Sequence, residues 1–204
     1  PGDSIKEAMK NIAMQIAAMN PSFVKRDEIS ADELKKEKDI IIDSSLADPA
    51  SLPKPILNAL IAEAIQNKVA EYAEDGNNGW SEADVAIYEE KKSNMNYLFN
   101  FLSDQAVQVL RDLAATHKDE YLENKIFSGL VEGRFSKHLK EICLVDQTYV
   151  KAENKESVAQ YVAQVAKDNS CTFEISSFIR FETGEGLEKK NEDFAAEVAA
   201  QMNQ

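Results

Sequence analysis

Two histidines, two cysteines and a surplus of carboxylates are the side chains in this 204-residue sequence that could make or break bonds or hold a metal. His117 and His138 stand far apart and match no metal-ligand spacing. His117 falls near an expected helix end, where a cation complements the dipole, and His138 sits beside Lys137 and Lys140 on an amphipathic helix. Surface or capping roles are expected for both. Cys143 and Cys171 supply neither a disulfide framework nor a cysteine-rich zinc cluster, and reduced thiols of a cytoplasmic protein are the expectation. Gly184-Glu185-Gly186 is too short to cradle a phosphate, and no phosphate loop, nucleophile elbow or dinucleotide fingerprint appears. The carboxylate pairs lie on ordinary polar helix faces. The chemistry expected is that of contact rather than of bond making, with no catalytic residue, metal or cofactor.

Charge narrows what is contacted. The chain has 36 acidic against 23 basic residues, a formal net charge of −13. Nucleic acid and anionic membranes both select clustered Lys and Arg, so neither is an expected partner. A protein or a small molecule is. No apolar run reaches membrane-spanning length, and no signal peptide opens the sequence. It starts Pro1-Gly2-Asp3 without an initiator Met, which reads as a fragment or processed form of a longer protein.

The elements that would position contact residues are mostly helices. Ile5, Met9, Ile12, Ile16 and Met19 recur at helical spacing over residues 4–19 and are the expected core face, closed by Asn20-Pro21. Lys10, Asn11, Met14 and Gln15 are then left facing a partner. Ser30 and Glu33 have capping-box spacing and open a helix through about residue 43. A Ser/Asp/Pro linker is expected over 44–55, a helix over 54–74, a turn over 75–79, and a second capping box at Ser81 and Asp84. Two further helices are expected over 95–116 and 119–144, and another over 157–168. Gly133, inside a helix, suggests a close backbone approach, since glycine there costs up to about 1 kcal/mol. Arg134 is expected to pair with a core carboxylate.

The tail organises the rest. Cys171, Phe173 and Ile175, then Phe178 to Phe181, alternate as a strand with one buried face. Gly184 and Gly186 permit a tight reversal, and Asn191 can cap a closing helix with Phe194, Val198 and Met202 on one face. The run Phe178-Ile179-Arg180-Phe181-Glu182, Gly184-Glu185-Gly186, Glu188-Lys189, then Asp193 through Ala200, closely resembles the C-terminal signature of bacterial elongation factor Ts. The stretch Ile12 to Val24 and the core Val131-Glu132-Gly133-Arg134 are similar to that family as well. Many of its members carry His where Asn11 and Gln15 stand here.

The resemblance covers the second half of the family's core and implies an α+β fold, predominantly helical. It has a small antiparallel sheet packed on helices and a long helical-hairpin or bundle excursion. Residues 1–40 and 126–204 would form the core subdomain with its C-terminal helix, and 41–125 the inserted, dimerisation-like excursion. That excursion reads as a closed small bundle or as a partner surface. Family positions that touch domain 3 of elongation factor Tu fall on Lys10 and Asn11 and on Val150 and Lys151. The closing helix, with Asp193, Phe194, Glu197 and Val198, would meet the nucleotide domain.

The implied function is GDP release from elongation factor Tu by protein–protein contact. It is expected to be weak here, because the N-terminal helical module, the Thr-Asp-Phe-Val loop and the strands that precede the first helix are missing. The tail strand then has an unpaired edge, and a homodimer through that edge or the excursion is a further expectation. The alternative is a helical scaffold or self-association domain without exchange activity.

Overall fold

The computed structural model describes residues 2–72 and 78–182. Part of the expected 75–79 turn, the glycine turn at Gly184 and Gly186, and the closing helix with Asp193, Phe194, Glu197 and Val198 lie outside them.

Helix α1 (Asp3–Met19) ends where Asn20 adopts a left-handed φ of 47° and returns its N–H to the Ile16 carbonyl. Its buried residues are Ala8, Asn11, Ile12, Gln15 and Ile16, whereas Met9 and Met19 are exposed. The inward face is therefore rotated from the expected Ile/Met stripe. The cause is polar: Asn11 and Gln15 find hydrogen-bond partners in the chain after residue 146, so they turn inward and two methionines turn out.

Helix α2 (Ala31–Leu46) has the full Ser30–Glu33 capping box and runs past Ser44, so the linker starts only after Leu46. Helix α3 (Lys54–Gln66) stops well short of residue 74. There the chain crosses its own return: Val69 N–H donates to the Trp80 carbonyl at 2.9 Å, and Trp80 N–H to the Ala64 carbonyl at 2.9 Å. A Cβ on Gly79 would lie 1.7 Å from the Asn67 carbonyl oxygen, so only glycine permits this crossing.

Helix α4 (Glu82–Lys91) follows, capped by Ser81. The expected 95–116 helix is two, α5 (Met95–Leu98) and α6 (Asp104–Thr116), because Ser103 breaks out to cap the second. The expected 119–144 helix is likewise α7 (Lys118–Glu123) and α8 (Lys125–Ile142), divided at Asn124, whose side chain accepts from Ile126 and Phe127 N–H. Helix α9 (Val158–Asp168) carries a second complete capping box, from Ser157 and Gln160.

Two expectations within α8 are corrected. A Cβ on Gly133 would meet nothing within 4 Å, so no described backbone approaches it closely. Arg134 donates to the hydroxyls of Ser45 and Ser51, each at 2.7 Å, instead of meeting a carboxylate. Those bonds tie α8 to α2 and to the turn that follows it.

The largest apolar cluster joins α2, α3, α6, α7 and the start of α8 around Trp80, which is fully buried and donates its Nε1–H to the Ala106 carbonyl at 2.9 Å. A second cluster joins Ile12 and Ile16 of α1 to Leu144, Tyr149, Val158 and Val162. Ile29, Leu139 and Cys143 form a third between them in sequence.

The small antiparallel sheet is not formed among the described residues. Pairing there is limited to isolated bridges, Phe23 with Cys143, Val69 with Ser81, and Thr148 with Ser157. Residues 172–181 form no strand and make no ladder bond among the described residues. Phe173, Ile175 and Phe178 pack on the second cluster as the alternation expects, whereas Cys171, expected on the same face, is exposed. What alternation cannot supply is a neighbouring strand, and Ile179 and Phe181 are left exposed.

Candidate partner-binding surface

The candidate face is assembled from the middle of α1 and the connector that follows α8. That connector leaves α8 by a short parallel bridge: Leu144 N–H donates to the Phe23 carbonyl at 2.9 Å and Val145 N–H to that of Val24 at 3.0 Å. A 3-10 turn (Leu144–Asp146) then redirects it along α1. Thr148 pairs antiparallel with Ser157, closing a hairpin whose reversal places Lys155 at a φ of 56°.

On this frame the sequence-based contact residues separate into two layers. Outside are Lys10, Met14, Val150 and Lys151, with Met14 43% and Val150 47% exposed. Inside are Asn11, 9% exposed, and Gln15, fully buried. Asn11 donates to the Tyr161 hydroxyl at 3.1 Å and accepts from Lys151 Nζ at 2.8 Å, so it ties α9 to the outer layer. Gln15 cannot touch an outside partner with its side chain in this arrangement; it bonds to the connector backbone.

Lys6, Glu7, Lys10, Asn11, Met14 and Lys151 line an open cleft of about 490 Å³ on this face. Three lysines and one glutamate give it a local excess of positive charge, although the chain as a whole is strongly acidic. Beneath it Tyr149 and Tyr161 stack with ring centroids 4.1 Å apart. Burial and the neighbouring Tyr161 hydroxyl push the Tyr149 phenol up to about 12, so it remains neutral at physiological pH.

Sequence reasoning missed Gln147 and Tyr149, which carry the inner layer with Tyr161, whose inward place on the 157–168 helix the spacing does predict. For Gln15 a signal existed, since residues 8, 11, 12, 15 and 16 also fall on one helical face. For Gln147 none did, because its partners come from α1 and from the end of α8.

The remaining chemically capable groups do not converge here. His117 bonds Glu63 at 2.8 Å and His138 bonds Glu37 at 2.8 Å, each joining two helices. Cys143 is buried and its thiol is pushed up by that burial, while Cys171 is exposed. Among the described residues no group of His, Cys, Asp and Glu could hold a metal ion, and no helix is long and apolar enough to cross a membrane.

The chain matches the model of the family described as Elongation factor TS over residues 2–75 and 83–185. It is 30% identical over 202 residues to the Elongation factor Ts of Finegoldia magna, covering 99% of this chain and 61% of that protein. To that of Desulforamulus reducens it is 31% identical over 193 residues, covering 95% of this chain and 55% of the relative. A shorter match, 48% identical over 80 residues, is to the Elongation factor Ts of Clostridium acetobutylicum, covering 39% of this chain and 26% of that protein. Over the two long matches the chain spans between 55% and 61% of its relatives' length. No solved structure matches it.

Proposed function

Because this chain belongs to the elongation factor Ts family, we propose that it docks on elongation factor Tu and favours release of GDP. The observation that supports this reading beyond the family is the face of α1 and the 148–151 connector. There the exposed Met14 and Val150 stand with Lys10 and Lys151 over a hydrogen-bonded polar layer. The family resemblance assigns this face to domain 3 of elongation factor Tu, and Asp193, Phe194, Glu197 and Val198 to the nucleotide domain.

Exchange of this kind needs no bond-making residue and no cofactor. A factor that binds the nucleotide-free GTPase better than the GDP form weakens GDP by the same factor that GDP weakens it. Each tenfold change requires about 1.4 kcal/mol of differential contact. The Thr-Asp-Phe-Val loop is not in this sequence, so the 204-residue polypeptide is expected to dock weakly and to release GDP slowly. Its proposed place of action is the cytoplasm, with neither nucleic acid nor membrane as partner.

Two measurements test the reading. Capture of elongation factor Tu by the chain should be stronger without GDP than with it, and capture indifferent to GDP would refute coupling. GDP release should accelerate only modestly, and full-speed release by residues 1–204 alone would refute the weak-exchange expectation. Val150→Asp, which places a carboxylate among the exposed apolar contacts, should weaken capture about tenfold or more.

Self-association is the second reading. It is favoured by Ile179 and Phe181, 81% and 89% exposed, two large apolar side chains left at the surface of the tail. The exposed Tyr97 and Phe101 of the helical excursion offer another surface for it. Concentration-dependent sedimentation, abolished by Phe181→Asp or by Phe101→Asp, would support it; a constant monomer mass would remove it.

A further inference from the structure

Directly beneath the exposed Val150 lies a closed set of amide hydrogen bonds. Gln15 donates through Nε2 to Gln147 Oε1 at 3.1 Å and to the Thr148 carbonyl at 3.2 Å, and its Oε1 accepts from Val150 N–H at 2.8 Å. Gln147 donates in turn to the Glu141 carbonyl at 2.7 Å and the Met19 carbonyl at 3.4 Å. Both glutamines are buried, Gln15 completely.

The pattern has a recognisable backbone logic. In a strand, the C=O of one residue and the N–H of the residue two further on point to the same side. A parallel neighbour satisfies both with the N–H and C=O of a single residue. Here Tyr149 N–H faces the other way and donates to the Glu156 carbonyl at 2.9 Å, inside the hairpin. Thr148 C=O and Val150 N–H face α1, where no strand exists. The Gln15 carboxamide takes the place of that missing residue's N–H and C=O.

An aliphatic side chain at this position would bury apolar area as well, but would leave a donor and an acceptor unpaired. A fully paired amide set fixes one geometry where apolar packing tolerates several. The geometry fixed is that of residues 148–151, which turns Val150 outward and brings Lys151 within 2.8 Å of Asn11.

We propose that Gln15 and Gln147 are positioning residues: Gln15 acts as a one-residue strand that holds the 148–151 connector in its docking conformation, and Gln147 anchors that amide to the ends of α1 and α8. This rests on the docking function proposed above for the outer layer.

The test compares the unmodified chain with Gln15→Met, which keeps the length and removes the amide, and Gln15→His, whose two ring nitrogens can accept and donate on opposite sides. Amide hydrogen exchange at Val150 reads the clasp, and exchange at Leu60 and Leu110 reads global unfolding. GDP release from elongation factor Tu is followed against chain concentration.

In Gln15→Met, Val150 should exchange about tenfold faster or more, with Leu60 and Leu110 unchanged. The concentration giving half-maximal release should rise about tenfold while the rate at saturation holds. Gln15→His should recover most of both. The proposal is overturned if Gln15→Met leaves Val150 protection and the half-maximal concentration unchanged, or if Gln15→His, folded, behaves like Gln15→Met. Should Gln15→Met unfold globally, the unmodified chain decides: a Val150 amide that exchanges as freely as an exposed one overturns the clasp. Failure of the unmodified chain to bind elongation factor Tu would instead sink the docking function, with the Val150 exchange arm still deciding the clasp.

Discussion

Asp84 is a buried carboxylate that four hydrogen bonds hold between two helix starts. Its Oδ2 accepts from the Tyr72 hydroxyl at 2.9 Å and the Ser81 and Ser103 hydroxyls at 2.8 Å each, and its Oδ1 accepts from Ser103 N–H at 2.8 Å. Burial alone would raise its pKa. The bonds from Ser103, Ser81 and Tyr72 outweigh burial and hold the carboxyl below its ordinary value. A folded pKa below the unfolded one means that the contribution is fully present above the unfolded value, near 4, and is lost as pH falls through the folded value. Asp84→Asn should therefore cost about 2–4 kcal/mol at neutral pH. Urea titrations should also show the gap between the two proteins narrowing below about pH 4. A gap independent of pH would refute the account.

The spacing of Ser81 and Asp84 gave the cap but not the inward turn of the carboxylate, because Ser103 and Tyr72 are remote in sequence. Gly133 carries the opposite lesson. Its place inside α8 suggested a tight contact, yet the space beside it is open. Gly133→Ala should stabilise the fold by up to about 1 kcal/mol, read as a rise in melting temperature; destabilisation would reveal a contact outside the described residues.

At the scale of elements, apolar period was easier to read than its interruptions. The stripe in α6 predicts Ala106, Val109, Leu110 and Leu113 as core, and all four are buried. The same stripes carried the expected helices through Ser103 and Asn124, where a capping side chain ends one helix and starts another at little cost to the apolar period. Asn124 satisfies two otherwise open N–H groups of α8, so Asn124→Ala should cost about 1 kcal/mol and lower the melting temperature; no change would show that α7 and α8 join into one helix without it. The rotation of α1 was hidden for a different reason. A glutamine on a helix reads as solvent-facing until the backbone it bonds is known, and that backbone lies far along the chain. In the tail the alternation marked which side chains pack inward but not whether a strand forms, since pairing depends on a neighbour rather than on the segment itself.

At the scale of the molecule, α8 belongs to more than one core. Phe127 and Val131 pack in the bundle around Trp80, while Leu139 packs with Ile29 and Cys143, next to the chain that bridges Phe23. A helix shared in this way couples the unfolding of both regions. Phe127→Ala, a large-to-small change at a fully buried site, should cost about 3–5 kcal/mol. It should lower the urea midpoint of Trp80 fluorescence and that of the protection of the Cys143 amide, which bonds the Leu139 carbonyl, together. Independent midpoints for the two probes would mean that the regions fold separately.

The pairing of α2 with α8 has one more consequence. Glu37 bonds His138, Lys38 bonds Glu132, and Ser45 bonds Arg134, so the two helices lie side by side where the chain departs and where it comes back. A departure point adjacent to its return point is insensitive to how much polypeptide travels between them, because doubling an intervening loop adds only about 0.6 kcal/mol of closure entropy. Loops joining the helices between α2 and α8 should thus lengthen at little cost in stability, because the contacts that hold α2 to α8 do not depend on them.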